Sequence, residues 1–76
     1  MPERAPDFAA HPLTLDEACA LQVGEHCVIL RIAAESHGFE RVMDGIHRYK
    51  FYWPLQDGWW MHLQQLFDVE DGKRRP

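Results

Sequence analysis

Seven side chains in this sequence have the chemistry to hold a metal or to act as nucleophile and base: His11, His26, His37, His47, His62, Cys19 and Cys27. A structural zinc site needs ligands at short fixed spacings such as C-x-x-C or H-x-x-x-H, so that one turn aims two of them at one ion. No such spacing occurs here. His26 and Cys27 are neighbours on an expected strand and so point to opposite faces, while His11, His37 and His47 fall in an arm, a loop and a hairpin start. Cys19 and Cys27 with a histidine are the one arrangement that chain order favours, because only a short link at Gly24 separates them. No metal and no other cofactor is expected, and the two cysteines read as reduced thiols. Ser36 adjoins His37, but adjacency in sequence does not orient a general base toward a nucleophile. Glu35, Asp44 and Asp57 read as loop and turn residues, and no glycine-rich phosphate loop is present. A domain this small also leaves little room for a deep pocket of the ~300 Å³ typical of ligand sites. The chain therefore reads as no enzyme.

The second chemistry in the sequence is recognition. Arg48, Lys50, Tyr52, Trp60 and His62 combine two cations, a histidine and two large aromatics, and all have even numbers in segments expected to alternate. Such a set binds a protein partner or a second copy, since Trp, Tyr and Arg are enriched in interface hot spots. It also suits single-stranded nucleic acid, with bases stacked on Trp60 and Tyr52 and phosphates on Arg48 and Lys50. The plainest reading is an ordinary wet sheet face, or one covered by the chain's own helix or arm. Protein binding or homo-oligomerisation is preferred and single-stranded RNA is the alternative, because Glu40 shares the face and the chain carries a net charge of −4. That charge disfavours a simple DNA-coating role, in which binding rests on neutralising phosphates.

That face exists only if the elements behind it take one register. Thr14 and Glu17 form a T-x-x-E capping box opening a short helix, with Leu15, Ala18 and Leu21 on one side and Gly24 as a left-handed stop. Glu25–Ala33 reads as a strand, built on the β-branched run Cys27-Val28-Ile29-Leu30, with Val28, Leu30 and Ile32 facing the core. Met43-Asp44-Gly45 and Gln56-Asp57-Gly58 each fit a three-residue hairpin loop closed by a left-handed glycine. A tight Asp44-Gly45 turn is less suitable because it sets Arg41 against Arg48. The preferred loops pair Glu40 with Arg48, Phe39 with Tyr49 and Trp53 with Met61. They send Phe39, Tyr49, Phe51, Trp53, Leu55, Trp59, Met61 and Leu63 inward and the even residues outward. Pro54 sits awkwardly in such a strand, since it cannot donate to a ladder. Gln64-Gln65-Leu66 suggests one 3₁₀ turn, and Phe67–Glu70 a closing strand.

The 76 residues make one domain, and 46% apolar content is enough to fold it. Met1–Pro12, with three of the five prolines, reads as a flexible arm, 13–70 as the domain, and 71–76 as a charged tail in which Lys73-Arg74-Arg75 is solvated. No apolar run reaches the ~20 residues of a membrane span, and the first residues lack the apolar stretch of a signal peptide. A cytoplasmic, membrane-free protein is expected. The order of elements, with Trp59–Val69 as a final strand, turn and strand, resembles that of SH3-like barrels. The expected fold is thus a mainly β, partly open barrel: a three-stranded antiparallel meander with one short N-terminal helix. An open sheet with the helix on one face is the alternative.

Overall fold

The computed structural model of the chain describes residues 3–5 and 13–74. It overturns the barrel: the chain is mainly helical, with no meander among the described residues. In order, the elements are strand β1 (Glu3–Arg4), helices α1 (Leu15–Ala20), α2 (His26–His37) and α3 (Phe39–Arg48), strand β2 (Tyr52–Trp53) and helix α4 (Trp59–Arg74). The two strands are two residues each and pair antiparallel, Glu3 with Trp53 and Arg4 with Tyr52. Part of the segment expected as an arm therefore forms a ribbon with β2, and Ala5, buried, donates its N–H to the Phe51 carbonyl at 3.0 Å. The remainder of the arm and the last two residues of the tail lie outside the described residues.

α1 is the element the sequence marks most firmly. The Thr14 hydroxyl accepts from the Glu17 N–H at 3.1 Å, and the Glu17 carboxylate accepts from the Thr14 N–H at 3.0 Å. Two of the backbone donors left over at the helix start are thereby satisfied. Gly24 has the expected positive φ of 58°, although it stands in the link to α2, beyond the C-cap Leu21.

The expected strand 25–33 is α2. Its buried residues are His26, Leu30, Ala33 and Ala34, the spacing of one helix face, while Val28 and Ile32 point outward. A run of four apolar residues has no period that separates strand from helix. Here the longer pattern through Ala33 and Ala34 decides, because small residues let α2 lie close to its neighbours. Gly38 alone separates α2 from α3. Its φ of 86° with ψ of 138° breaks the helix within one residue, a conformation that disfavours any side chain with a Cβ.

α3 runs straight through the first expected hairpin loop. Asp44 is a helix-surface residue that pairs with Arg48 one turn on. Gly45 is buried, and a Cβ placed on it would meet Phe67 Cε1 at 2.9 Å and Leu63 Cδ1 at 3.0 Å. This glycine serves a helix crossing and not a turn. The second loop is a bend, with Gly58 at φ 81°, but it opens α4 instead of closing a hairpin. The expected turn and closing strand at 64–70 are helix, and α4 continues through Asp71 to Arg74. Pro54 marks a real stop, since β2 ends at Trp53.

The core joins Val42, Met43 and Ile46 of α3 to Trp59, Leu63 and Phe67 of α4, with Leu30 and Ala33 of α2, Ala18 and Cys19 of α1, and Leu55. Of the eight residues expected inside, Leu55, Trp59 and Leu63 are buried, and Phe39, Tyr49, Phe51 and Trp53 pack half-buried against them. Met61 is 68% exposed. Trp59 and Trp60 both turn inward to different degrees, which neighbours on a helix can do and neighbours on a strand cannot.

Candidate functional site

The five residues expected to share one sheet face sit on three different elements and their connections. Arg48 ends α3, where its guanidinium bonds Glu70 at 2.8 Å and also Asp44. Lys50 follows in the turn with φ of 62°, and Tyr52 lies exposed on β2, its backbone paired with Arg4. Trp60 and His62 belong to α4. Trp60 is half-buried, edge-on to His37 at 5.5 Å and to Phe67 at 6.2 Å, while His62 is exposed with its ring edge-on to Phe51 at 5.7 Å. Trp60 and His62, two residues apart on α4, face different surroundings, and the five residues do not form the flat sheet face that a meander would have made.

Arg48 belongs to a network that locks α3 onto α4. The Tyr49 hydroxyl donates to the same Glu70 carboxylate, and that bond, with burial adding to it, holds the phenol above its ordinary range. Arg41, two turns earlier on the same side of α3, repeats the arrangement, bonding Asp71 at 2.9 Å and lying 4.4 Å above the Phe67 ring. These arginines are occupied by carboxylates and an aromatic face, so their charge is spent within the fold.

An open cleft of about 400 Å³ lies between the start of α2 and the segment before α4, lined by Val23, His26, Pro54, Leu55, Gln56 and Asp57. His26 is buried, and its Nε2 donates to the fully exposed Asp57 carboxylate at 3.0 Å; a carboxylate only accepts, which fixes the proton on Nε2. Its Nδ1 is buried with no partner. A His–Asp pair serves catalysis when the second ring nitrogen is presented to a nucleophile or a substrate. Here one nitrogen is taken and the other is covered, so the pair acts as a clasp between α2 and the 54–57 segment. Gln22 is a second clasp: its amide donates to the Ala18 carbonyl at 2.9 Å and accepts from the Leu55 N–H at 2.8 Å. Among the described residues no group of three His, Cys, Asp or Glu is placed to hold a metal ion.

The feature least expected from sequence is apolar. Of the seven large hydrophobic side chains left exposed among the described residues, Leu21, Val23, Val28 and Ile32 belong to one hairpin, α1–link–α2. Val28 (59% exposed) and Ile32 (53%) are one turn apart on the outer side of α2 and so touch as neighbours on the helix surface. Half-buried Ile29 continues the strip toward the core. Glu25 and Glu35, both exposed, stand three residues before Val28 and three after Ile32, which puts a carboxylate at each end of the strip on the same side. The signal was in the sequence: read at 3.6 instead of 2, Val28 and Ile32 fall opposite Leu30, Ala33 and Ala34. No helix among the described residues is long and apolar enough to cross a membrane. No family model matches the chain, and neither a curated protein nor a solved structure matches it.

Proposed function

We propose that this chain is a non-catalytic helical interaction module that docks a protein partner on the outer side of α2, the partner offering an apolar surface flanked by basic side chains. The observation that carries this reading is the exposure of Val28 and Ile32 one turn apart on α2, bracketed by Glu25 and Glu35. An exposed apolar strip rimmed by charge is the ordinary mark of an interaction site. Charge chooses the occupant. If a second copy laid its α2 antiparallel on this strip about a twofold axis between Val28 and Ile32, Glu25 would meet the copy's Glu35 at both ends, and like charges across an interface oppose pairing. A partner with lysines or arginines there suits both the strip and the chain's charge of −4. Nucleic acid is the less suited partner, because Arg31, Arg41 and Arg48 are each paired with a carboxylate.

The probe is an amphipathic helical peptide with an isoleucine–leucine strip and lysines at both ends, set against a twin carrying glutamates. Methyl NMR of the full chain should show the lysine peptide shifting Val28 and Ile32, with affinity falling as salt rises, and the twin leaving them in place. Val28→Ser with Ile32→Ser should abolish binding while keeping the circular dichroism of the fold, since Ser, Val and Ile have similar helix propensities. Binding that survives the double substitution, or shifts centred elsewhere, overturns the proposal. Salt-sensitive binding of a labelled RNA that is lost in Arg48→Ala, with no response to the peptide, would favour the nucleic-acid reading instead.

A further inference from the structure

The same hairpin holds two thiols, Cys19 and Cys27. Cys19, in the last turn of α1, directs its S–H to the Cys27 carbonyl oxygen at 3.5 Å, and its side chain also meets the Cys27 thiol. Both are free, and they differ in access: Cys19 is 3% exposed, whereas Cys27 at the start of α2 is half-buried. Arg31, one turn along α2, bonds Asp16 of α1 at 2.9 Å and reaches the Cys27 side chain. Cys27 is therefore the more open of the two residues and lies beside a guanidinium, while Cys19 is sealed next to it. This is the asymmetry of a thiol that is oxidised and a thiol that resolves.

We propose that Cys19 and Cys27 form a peroxide-sensitive dithiol, in which Cys27 is oxidised first and Cys19 closes a disulfide that pins α1 to α2. The oxidant is a hydroperoxide. The Cys27 sulfur attacks a peroxide oxygen, the O–O bond breaks, and the products are a Cys27 sulfenic acid and water or an alcohol. The Cys19 sulfur then attacks the sulfenic sulfur and the S–S bond forms. The departing hydroxide takes up the Cys19 proton and leaves as water. In sum, two thiols lose two electrons and two protons, and the peroxide gains them. Burial, with the Cys27 side chain beside it, pushes the Cys19 thiol up to about 11. Cys19 therefore stays protonated at neutral pH, and the first attack falls to Cys27. The disulfide does not depend on what the hairpin binds.

The test treats the full chain with hydrogen peroxide and follows intact mass. The wild type should lose the mass of two hydrogens as a monomer, with peptide mapping placing the bond between Cys19 and Cys27 and dithiothreitol reversing it. Cys19→Ser should accumulate a dimedone adduct on Cys27, which the wild type shows only transiently, and Cys27→Ser should leave Cys19 unmodified. Cys19→Ala supplies the same readout if a buried serine disturbs the fold. Disulfide-linked dimers in place of the internal bond, a lasting dimedone adduct in the wild type, or oxidation of Cys19 in Cys27→Ser as fast as that of Cys27 would each overturn the proposal.

Discussion

Gly45 offers the sharpest test of the helical architecture, because the barrel and the bundle assign it opposite roles. In a hairpin it would be a left-handed turn residue; here it lies inside α3 under Phe67 and Leu63. Replacing a helical glycine with alanine normally stabilises by up to about 1 kcal/mol through helix propensity. At Gly45 the added methyl would stand 2.9 Å from Phe67 Cε1 and 3.0 Å from both Phe67 Cζ and Leu63 Cδ1, well inside ordinary contact. Phe67 has nowhere to retreat: its ring is buried, with the Arg41 guanidinium 4.4 Å from its centre and the His37 ring at 5.2 Å. Overpacking of this kind costs roughly 1–3 kcal/mol, so Gly45→Ala should come out net destabilising by about 1 kcal/mol. Gly72 is the internal control, a glycine of α4 with nothing within 4 Å of an added Cβ. Gly72→Ala should be stabilising by roughly 0.5 kcal/mol, the gain being reduced near a helix end. Urea unfolding followed by tryptophan fluorescence reads both, with an unchanged m-value showing that only stability has moved. The two variants should shift the midpoint in opposite directions. If Gly45→Ala stabilises as much as Gly72→Ala, α3 and α4 do not cross at this residue and the packing described here is wrong.

Trp60→Ala should lower stability by about 2 kcal/mol, near half the cost of deleting a fully buried aromatic, because the ring is half-buried against His37, Trp59 and Phe67. A variant as stable as the wild type would show that Trp60 does not pack here. The Tyr49–Glu70 bond gives a pH dependence. Since it raises the Tyr49 phenol in the fold, the stability it contributes is complete below the ordinary tyrosine pKa of about 10 and is lost as pH rises through the higher folded value. Cys19, also raised, acts in the same direction, so the measurement is the difference between wild type and Tyr49→Phe. The wild-type urea midpoint should fall more steeply between about pH 9 and 11 than that of the variant, and parallel curves would count against the bond.

What the sequence disclosed, and what it hid, follows from where each signal is stored. The capping box at Thr14 and Glu17 is a local device whose two bonds close within one turn, and it reads correctly from four residues. The bend at Asp57-Gly58 is local too. Asp44-Gly45 carries the same letters, but its glycine answers to Phe67, twenty-two residues away, and no local rule contains that distance. The aromatic segment 59–67 misled for a different reason. α4 carries apolar residues around its whole circumference, with Trp59, Leu63 and Phe67 inward, Trp60 and Leu66 half-buried, and Met61 and Val69 outward. A helix apolar on all sides loses its 3.6 signature, and any odd-numbered subset then looks like a strand. The sheet face expected for Arg48, Lys50, Tyr52, Trp60 and His62 went with the meander, since these residues stand on α3, the turn after it, β2 and α4.

The strip on α2 also sets how tightly it can hold a partner. Fully burying a valine or isoleucine returns about 1.5–3 kcal/mol, and Val28 and Ile32 keep somewhat over half of their surface to offer, so each contributes roughly 1–1.5 kcal/mol on binding. Adding Leu21 and Val23, similarly exposed, brings the hairpin to about 4–6 kcal/mol of gross apolar gain. Association alone costs at least about 4 kcal/mol, and micromolar affinity needs about 8 kcal/mol net. The apolar hairpin by itself therefore supports only a weak, short-lived complex. The acidic ends then act chiefly on encounter rate and on the choice of partner. A helical peptide confined to α2 should bind more weakly than micromolar. A partner that binds much tighter must cover more of the molecule, and one or more of the remaining large exposed side chains, Tyr52, Met61 and Val69, should then be protected along with Val28 and Ile32.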